Sequence, residues 1–331
     1  MTQRVAIILA AGISSRMNTK LPKVLHEVCG RPMLAYVLDV CRQAGVEKIL
    51  VVVGYDADQV KKHFSEENDI TWVIQKEQKG TAHAILCCKK NLSNFNGQTL
   101  VLCGDGPLIK TKTIKVLIKE HESTRSAATL ATAILENPSG YGRIIRDKYG
   151  NIEGITEDSD CSPEQKNINE VNPSYYLFDN KILFNAVEKV QPDNLKNEYY
   201  LTDALSIILS EGHKVSAVMT VSPQEAKSVN NRTQLSEAGK IMQQRIQKRL
   251  MEKGVTIVAP ETTWIDAKAE IGQDTVIEPF TYIQGKAQIQ QKCRIGPFAY
   301  IKGNVILQDG SNVKPGSIVS EKNTKKFAWR D

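Results

Sequence analysis

The chain has 331 residues, of which 41% are apolar and 24% charged. That composition excludes a largely disordered or collagen-like chain, and the length suits about two domains. Forty-three Lys and Arg against 37 Asp and Glu leave a net charge of +6. Such an excess is compatible with an anionic small-molecule substrate, and no basic tract is dense enough to point to nucleic acid. The seven cysteines are odd in number and include no C-x-x-C pair. This disfavours a disulfide framework or a zinc site and predicts a reducing, cytoplasmic setting. The short apolar run near the N-terminus reads as a strand. No run reaches the ~18 apolar residues of a membrane span, so no membrane partner is expected.

In chain order, residues 5–10 read as a buried strand and 33–44 as a helix that follows Pro32. Residues 48–53 read as a strand, 56–64 as a helix, 70–75 as a strand and 81–90 as a helix. Residues 99–103 form a strand that runs into Gly104 and Asp105. Alternation of this kind predicts an α/β fold with a mostly parallel sheet. After about residue 125 the pattern loosens into strands, hairpins and helices such as 200–210. A long helix is expected over 231–253, where Leu235, Ala238, Met242, Ile246 and Leu250 recur at spacings of three and four. Gly254 is a natural stop.

Beyond it lies a six-residue repeat. Ile265, Ile271, Ile277, Ile283, Ile289, Ile295, Ile301, Leu307, Val313 and Val319 recur without a miss, and a small or β-branched residue stands two positions before each. A sandwich strand has period 2 and no reason for period 6. The repeat therefore predicts a parallel β-helix, one short strand per hexapeptide and three per coil. The expected domains are 1–230, a linker helix at 231–254, and the β-helix with a C-terminal tail at 255–331.

Three loops could carry chemistry. The first is Leu9, Ala10, Ala11 and Gly12 with the segment through Arg16 and Met17, directly after strand one. At the carboxyl edge of an open α/β sheet, small residues let backbone N–H groups approach a phosphate chain. Arg16 and Lys23 could neutralise phosphate oxygens. Neither a Walker A loop nor a dinucleotide fingerprint is present, and an ordinary strand-to-helix loop is the competing reading. The second is Cys103, Gly104 and Asp105, where an Asp at a strand's end could hold Mg²⁺ or could simply form a turn. The third is the polar loop from Gln75 through Gly80 to Thr81, whose Thr could cap the next helix or face a ligand. No pair of the five histidines has metal-ligand spacing, and His26 and His83 read as structural. G-x-S-x-G is missing, so a serine nucleophile has no signature.

The motifs LAAGISSRM, LPKVLHEVCGRPML, GTAHA, GDGPL, GYGRI, EYYLTD and VNNR occur in this order. With the hexapeptides they resemble the bacterial N-acetylglucosamine-1-phosphate uridylyltransferase family of sugar-phosphate nucleotidylyltransferases, over almost the whole chain. The resemblance implies a Rossmann-like domain, a linker helix and a left-handed β-helix that assembles a homotrimer. It implies UTP and a sugar-1-phosphate as substrates, with Mg²⁺. Leu9, Ala10, Ala11 and Gly12 would hold the uridine and its phosphates, and Gln75, Gly80 and Thr81 would read the uracil. Arg16 and Lys23 would bind the triphosphate, and Asp105 with Asn230 would hold the metal. Gly142, Glu157, Asn172, Tyr200 and Thr202 would contact the amino sugar.

The chain also departs from the family pattern. Ser14 stands where the loop has a Gly, and Pro173-Ser174 replaces a Thr-Gly after Asn172. Ser228 and Asn197 each replace a Gly. The hexapeptide repeat is short, and no His follows His213, so the family's acetyltransferase activity is expected to be absent. The alternatives are a relative using another sugar-1-phosphate or dTTP, and a nucleotide-sugar sensor without turnover. The tail at 325–330 is expected either to swap onto a neighbour or to lie disordered.

Overall fold

The protein is described by a computed structural model covering residues 2–12 and 15–322. Ser14 and the tail at 325–330 lie outside the described residues. Two compact units are present: residues 1–26 with 33–234, and residues 27–32 with 235–331. The short hairpin Glu27–Val28 and Arg31–Pro32 sits within the first expected domain, yet it groups with the second unit.

The first unit is built on nine strands. These are β1 (Arg4–Ala10), β2 (Lys48–Val53), β3 (Ile70–Ile74), β4 (Gln98–Cys103), β5 (Ala128–Ile134), β6 (Gly142–Arg146), β7 (Ile152–Thr156), β8 (Glu170–Asp179) and β9 (Val215–Met219). The sheet order is β9-β5-β8-β4-β1-β2-β3, with β6 pairing β8 and β7. Strands β4, β1, β2 and β3 run parallel, and β8 is antiparallel to both β4 and β5. The central strands are continuous apolar runs because both faces are covered. Alternate residues of β1 show this directly. Val5 and Ile7 join one core with Ile85, Leu183 and Leu205, whereas Ala6 and Ile8 join another with Leu34, Leu38 and Leu117. The order places β1 beside β4, so the loops following Ala10 and Cys103 emerge side by side at one sheet edge.

Most expected elements form with shifts of one or two residues at their ends. The helix expected over 81–90 is instead two pieces, Thr81–Leu86 and Lys89–Leu92. Thr81 is not a side-chain cap. The cap position is Gly80, and the Thr81 hydroxyl accepts the Leu201 N–H at 2.8 Å.

The long helix spans Arg232–Glu252 and buries Ala238, Met242, Ile246 and Leu250. In the second unit the hexapeptide strands fall into three sheets of four, four and three parallel strands. Successive coils therefore stack every third hexapeptide. Ile265, Ile283, Ile301 and Val319 lie one above another, and all four are fully buried. The small residues stand beside them, with Thr263, Ala269, Thr275, Thr281, Ala287 and Cys293 buried as well. No helix among the described residues is long and apolar enough to cross a membrane.

Candidate active site

A cleft of about 470 Å³ opens at the β1–β4 edge of the first unit. Leu9, Ala10, Ala11, Gly12, Lys23, Gln75, Gly80, Thr81, Cys103 and Asp105 all line it. Ten residues chosen from three separate loops thus face one space. Val24, Gln78, Ala84 and Glu198 line it too. Of these, Gln78 and Glu198 fall inside motifs that the sequence brings forward, but nothing local marks their side chains.

Two carbonyl-edge contacts hold the loops together. Gly104 N–H donates to the Leu9 carbonyl at 2.9 Å, fixing the Asp105 turn against strand one. Gly80 has φ +118, and a Cβ there would stand 2.5 Å from the Tyr199 carbonyl oxygen and 2.7 Å from its nitrogen. Only glycine fits that backbone approach. Tyr199 N–H in turn donates to the Lys79 carbonyl, and Ala82 N–H to the Tyr199 carbonyl, at 2.8 and 2.9 Å.

The polar end of the cleft is a knot of charges. The Lys23 ammonium bridges the Asp105 carboxylate and the Asn230 side-chain oxygen, the latter at 2.7 Å. The exposed Arg16 guanidinium donates to the same Asn230 oxygen at 3.1 Å. Arg16 does not line the cleft itself, but this bond places it beside Lys23. Asn230 is held from below: its N–H donates to Gln234 Oε1 at 2.7 Å, and its Nδ2 donates to Ser228 Oγ at 3.1 Å. Ser228, noted as a departure, therefore orients Asn230. Asp105 and Asn230 direct oxygens at one and the same cation. Such a donor pair fits Mg²⁺, which takes oxygen ligands and keeps places for substrate phosphates.

Gln75 also lines the cleft and is buried. Its amide nitrogen meets the Gly80 carbonyl at 3.1 Å and His83 Nδ1 at 3.0 Å. Both amide hydrogens are spent, so the carbonyl oxygen is the group left for a ligand. His83 is structural in that it sets the sense of Gln75.

The remaining candidates cluster around β6, β7 and β8. Gly142 pairs with Asn172 across β6 and β8. Thr202 Oγ donates to Glu157 Oε1 at 3.1 Å, and a Cβ on Gly142 would stand 3.6 Å from Glu157 Oε2. Burial pushes the Glu157 carboxyl above its ordinary range, an effect that the Thr202 bond offsets in part. Tyr200 is buried nearby, and desolvation pushes its hydroxyl up to about 12, so it stays protonated at neutral pH. Cys103 lines the cleft itself. Desolvation and the Asp105 charge push its thiol up to about 12, so it is a neutral lining group rather than a nucleophile.

The family model for nucleotidyl transferases matches residues 5–266. "Bifunctional protein GlmU" of Listeria monocytogenes serotype 4a (strain HCC23) is 46% identical over 279 residues, covering 84% of this chain and 61% of that protein. The protein of the same name from Geobacillus sp. (strain WCH70) is 46% identical over 84% of this chain and 60% of its own, and that of Bacillus licheniformis 43% over 84% and 61%. The chain thus spans about three fifths of the length of these relatives. Among solved structures, a UDP-glucose pyrophosphorylase complexed with UDP-glucose superposes with a TM-score of 0.61 at 19% identity, covering 74% of this chain and all of that one. That likeness is one of fold.

Proposed function

The chain belongs to the nucleotidyl transferase family, and on that premise we propose that it transfers a uridylyl group from UTP to N-acetylglucosamine-1-phosphate, releasing pyrophosphate. The observation that carries this reading is the Lys23–Asp105–Asn230 knot beside a cleft that Lys23, Asp105 and Gln75 line together, with the Gln75 amide nitrogen held by Gly80 and His83. The ordered motif set and its resemblance to the acetylglucosamine-specific family support the choice of sugar.

The physical argument is one of charge. The phosphate oxygen of a sugar-1-phosphate is already anionic and needs no strong general base. It attacks the α-phosphorus of the nucleotide in line, the bond to the bridging oxygen breaks, and pyrophosphate leaves with the electron pair. Two anions must approach, so the protein's task is to position them and neutralise them. Arg16 presents a planar fork and Lys23 a point charge, and both donate to the Asn230 side-chain oxygen. Asp105 and Asn230 would hold Mg²⁺, which would supply charge shielding to the phosphates. The loop at residues 9–12 holds the nucleotide through backbone groups. The Gln75 carbonyl accepts the N3–H of uracil, a hydrogen that cytosine lacks. Glu157, Asn172 and Thr202 form the sugar wall.

A homotrimer assembled through the β-helix belongs to the same reading. One outer face of the second unit carries Trp264, the stacked pair Tyr282 and Tyr300 at 5.5 Å, and the exposed Ile318. Light scattering of the purified protein measures the subunit number directly.

The test of the activity is pyrophosphate release with Mg²⁺, UTP and N-acetylglucosamine-1-phosphate, run beside glucose-1-phosphate and dTTP. Release with the first pair above the others supports the reading. Release only with another pair moves the assignment to a different sugar or base. UTP binding without release under any condition replaces the enzyme with a sensor.

A further inference from the structure

We propose that the second unit carries a binding site of its own, for a small soluble molecule bearing two or more phosphate groups, between the last turn of the long helix and the first two coils of the hexapeptide array. The site shares no residue with the cleft of the first unit, so it stands apart from the transfer reading.

A cleft of about 630 Å³ opens there, a size ordinary for small-ligand sites. Four cations line it: Arg249 and Lys253 from the helix end, and Lys268 and Lys286 from the coils. All four are exposed. Among the described residues none of the four side chains is paired with a carboxylate. Glu252, beside them on the helix, pairs with Lys248 at 3.9 Å instead. Glu270 is the one carboxylate that lines the cleft. Four positive charges thus share one space with a single negative charge.

That arrangement is costly in two places. Arg249 and Lys253 stand four residues apart, a spacing at which like charges repel across one helical turn. Lys268 and Lys286 stand one full coil apart. Glu270 is the ladder partner of Gln288, so the two lysines, each two residues earlier, occupy the same corner of successive coils. Their backbones lie about 5 Å apart there, and like charges in such register destabilise. The negative end of the helix dipole accounts for Arg249 and Lys253. It does not account for the corner lysines, which belong to no helix. A multiply charged anion seated among the four relieves both repulsions at once.

Shape and chemistry narrow the class. The third corner in this stack carries Asn304, so a long polyanion lying along the coils would meet no further lysine. Leu250, Ala269 and Ile271 are buried side chains that line the cleft, and they offer an apolar floor to the body of a small molecule. Arg249 presents a fork that matches phosphate oxygens, and the lysines supply point charges. Each phosphate group carries about −1.5 to −2 at neutral pH, so two of them balance the positive excess and one does not.

The test uses the full chain with inorganic tripolyphosphate, without Mg²⁺ and at low ionic strength, read by titration calorimetry and by hydrogen exchange with mass spectrometry. Hydrogen exchange tells this site from the cleft of the first unit, where a phosphate chain is also expected. On the wild type, tripolyphosphate should slow exchange at residues 249–254 and 267–271, and the effect should fade as salt is raised. Lys268→Gln combined with Lys286→Gln should raise the tripolyphosphate concentration needed for that protection about tenfold, the worth of charged hydrogen bonds lost at an exposed site. Protection around Lys23 should stay as in the wild type. Arg249→Gln changes the other wall of the cleft and should raise the same concentration several-fold, which keeps the test decisive if the double variant fails to fold. Sulfate at matched ionic strength should protect these segments far less. Protection confined to the segments around Lys23, protection at 249–254 and 267–271 that is unchanged in the folded variants, or equal protection by sulfate overturns the inference, as does a wild type with no protection there.

Discussion

Replacing Asp105 with Asn tests the centre of the proposed chemistry, because the change is isosteric and removes one negative charge. The Asp105 carboxylate is bound to the Lys23 ammonium, and the two side chains are only 20% and 16% exposed. Two unit charges about 3 Å apart attract by roughly 5 kcal/mol at an effective dielectric near 20. Desolvation offsets most of that, leaving about 1.5–3 kcal/mol for a charged hydrogen bond. Lys23 keeps its 2.7 Å bond to Asn230 and can still donate to the new amide oxygen. The cost to folding should therefore be small, about 1 kcal/mol, read as a midpoint shift in urea. The cost to transfer should be far larger. Electrostatic groups aimed at developing charge are worth about 10²–10³ in rate, or about 3–4 kcal/mol of barrier. Initial-rate pyrophosphate assays across a Mg²⁺ series should show that loss in kcat and a higher Mg²⁺ requirement. A double-mutant cycle with Lys23→Gln should give a folding coupling of about 1–2 kcal/mol, within the range for neighbouring groups. If Asp105→Asn retains kcat within threefold at the same Mg²⁺ dependence, Asp105 is a turn former and the metal assignment is wrong.

Three further outcomes follow from other parts of the molecule. Gly80→Ala places a methyl against the Tyr199 backbone at φ +118, so it should cost about 1–3 kcal/mol and raise KM for UTP several-fold; an unchanged melting curve and KM would show that this loop is loosely held. Ile283→Ala, in the fully buried column between Ile265 and Ile301, should destabilise the second unit by about 2–5 kcal/mol in chemical denaturation, and a loss below about 1 kcal/mol would mean the coils do not share a packed core. His121 is buried, with its Nδ1 2.9 Å from the Thr129 hydroxyl, and burial lowers its pKa from 6.5 to about 4. The folded state therefore binds fewer protons than the unfolded one. The stability this group contributes is complete above pH 6.5 and is lost as pH falls towards about 4, up to about 3 kcal/mol. Urea midpoints measured from pH 7 to 4 should fall more steeply for the wild type than for His121→Gln, and parallel slopes would dismiss the assignment.

How much of this was legible beforehand depends on how far apart the cooperating residues lie. The β-helix was readable because its rule is local: an aliphatic residue every sixth position fills one interior, and Ile265 needs only Ile283 and its own coil to be buried. The strands β1 to β4 were readable for a related reason, since unbroken runs such as residues 48–53 have few alternatives to a doubly covered strand. The cleft was harder. Lys23 and Asn230 are 207 residues apart and share one hydrogen bond; no periodicity encodes that, and only the ordered motifs brought both forward. Thr81, open to two readings from the residues alone, lines the cleft and does not cap its helix. A Thr before a helix has a strong local explanation as a cap, and the distant Leu201 N–H that its hydroxyl accepts is invisible to a local rule. Pro173-Ser174 shows the limit most clearly. From the residues alone it is a substitution in a sugar-contacting motif. What matters is that Ser174 takes φ +67, that β8 shifts register between Val171 and Tyr175, and that the Ser174 N–H donates to Asn172 Oδ1, and these are properties of a strand forced to bulge between β5 and its neighbours. Such substitutions act through the backbone they require as much as through the side chain they bring. A Gly at position 174 would take the same angle without strain and keep the N–H, so Ser174→Gly should leave Asn172 in place while releasing about 1 kcal/mol of backbone cost.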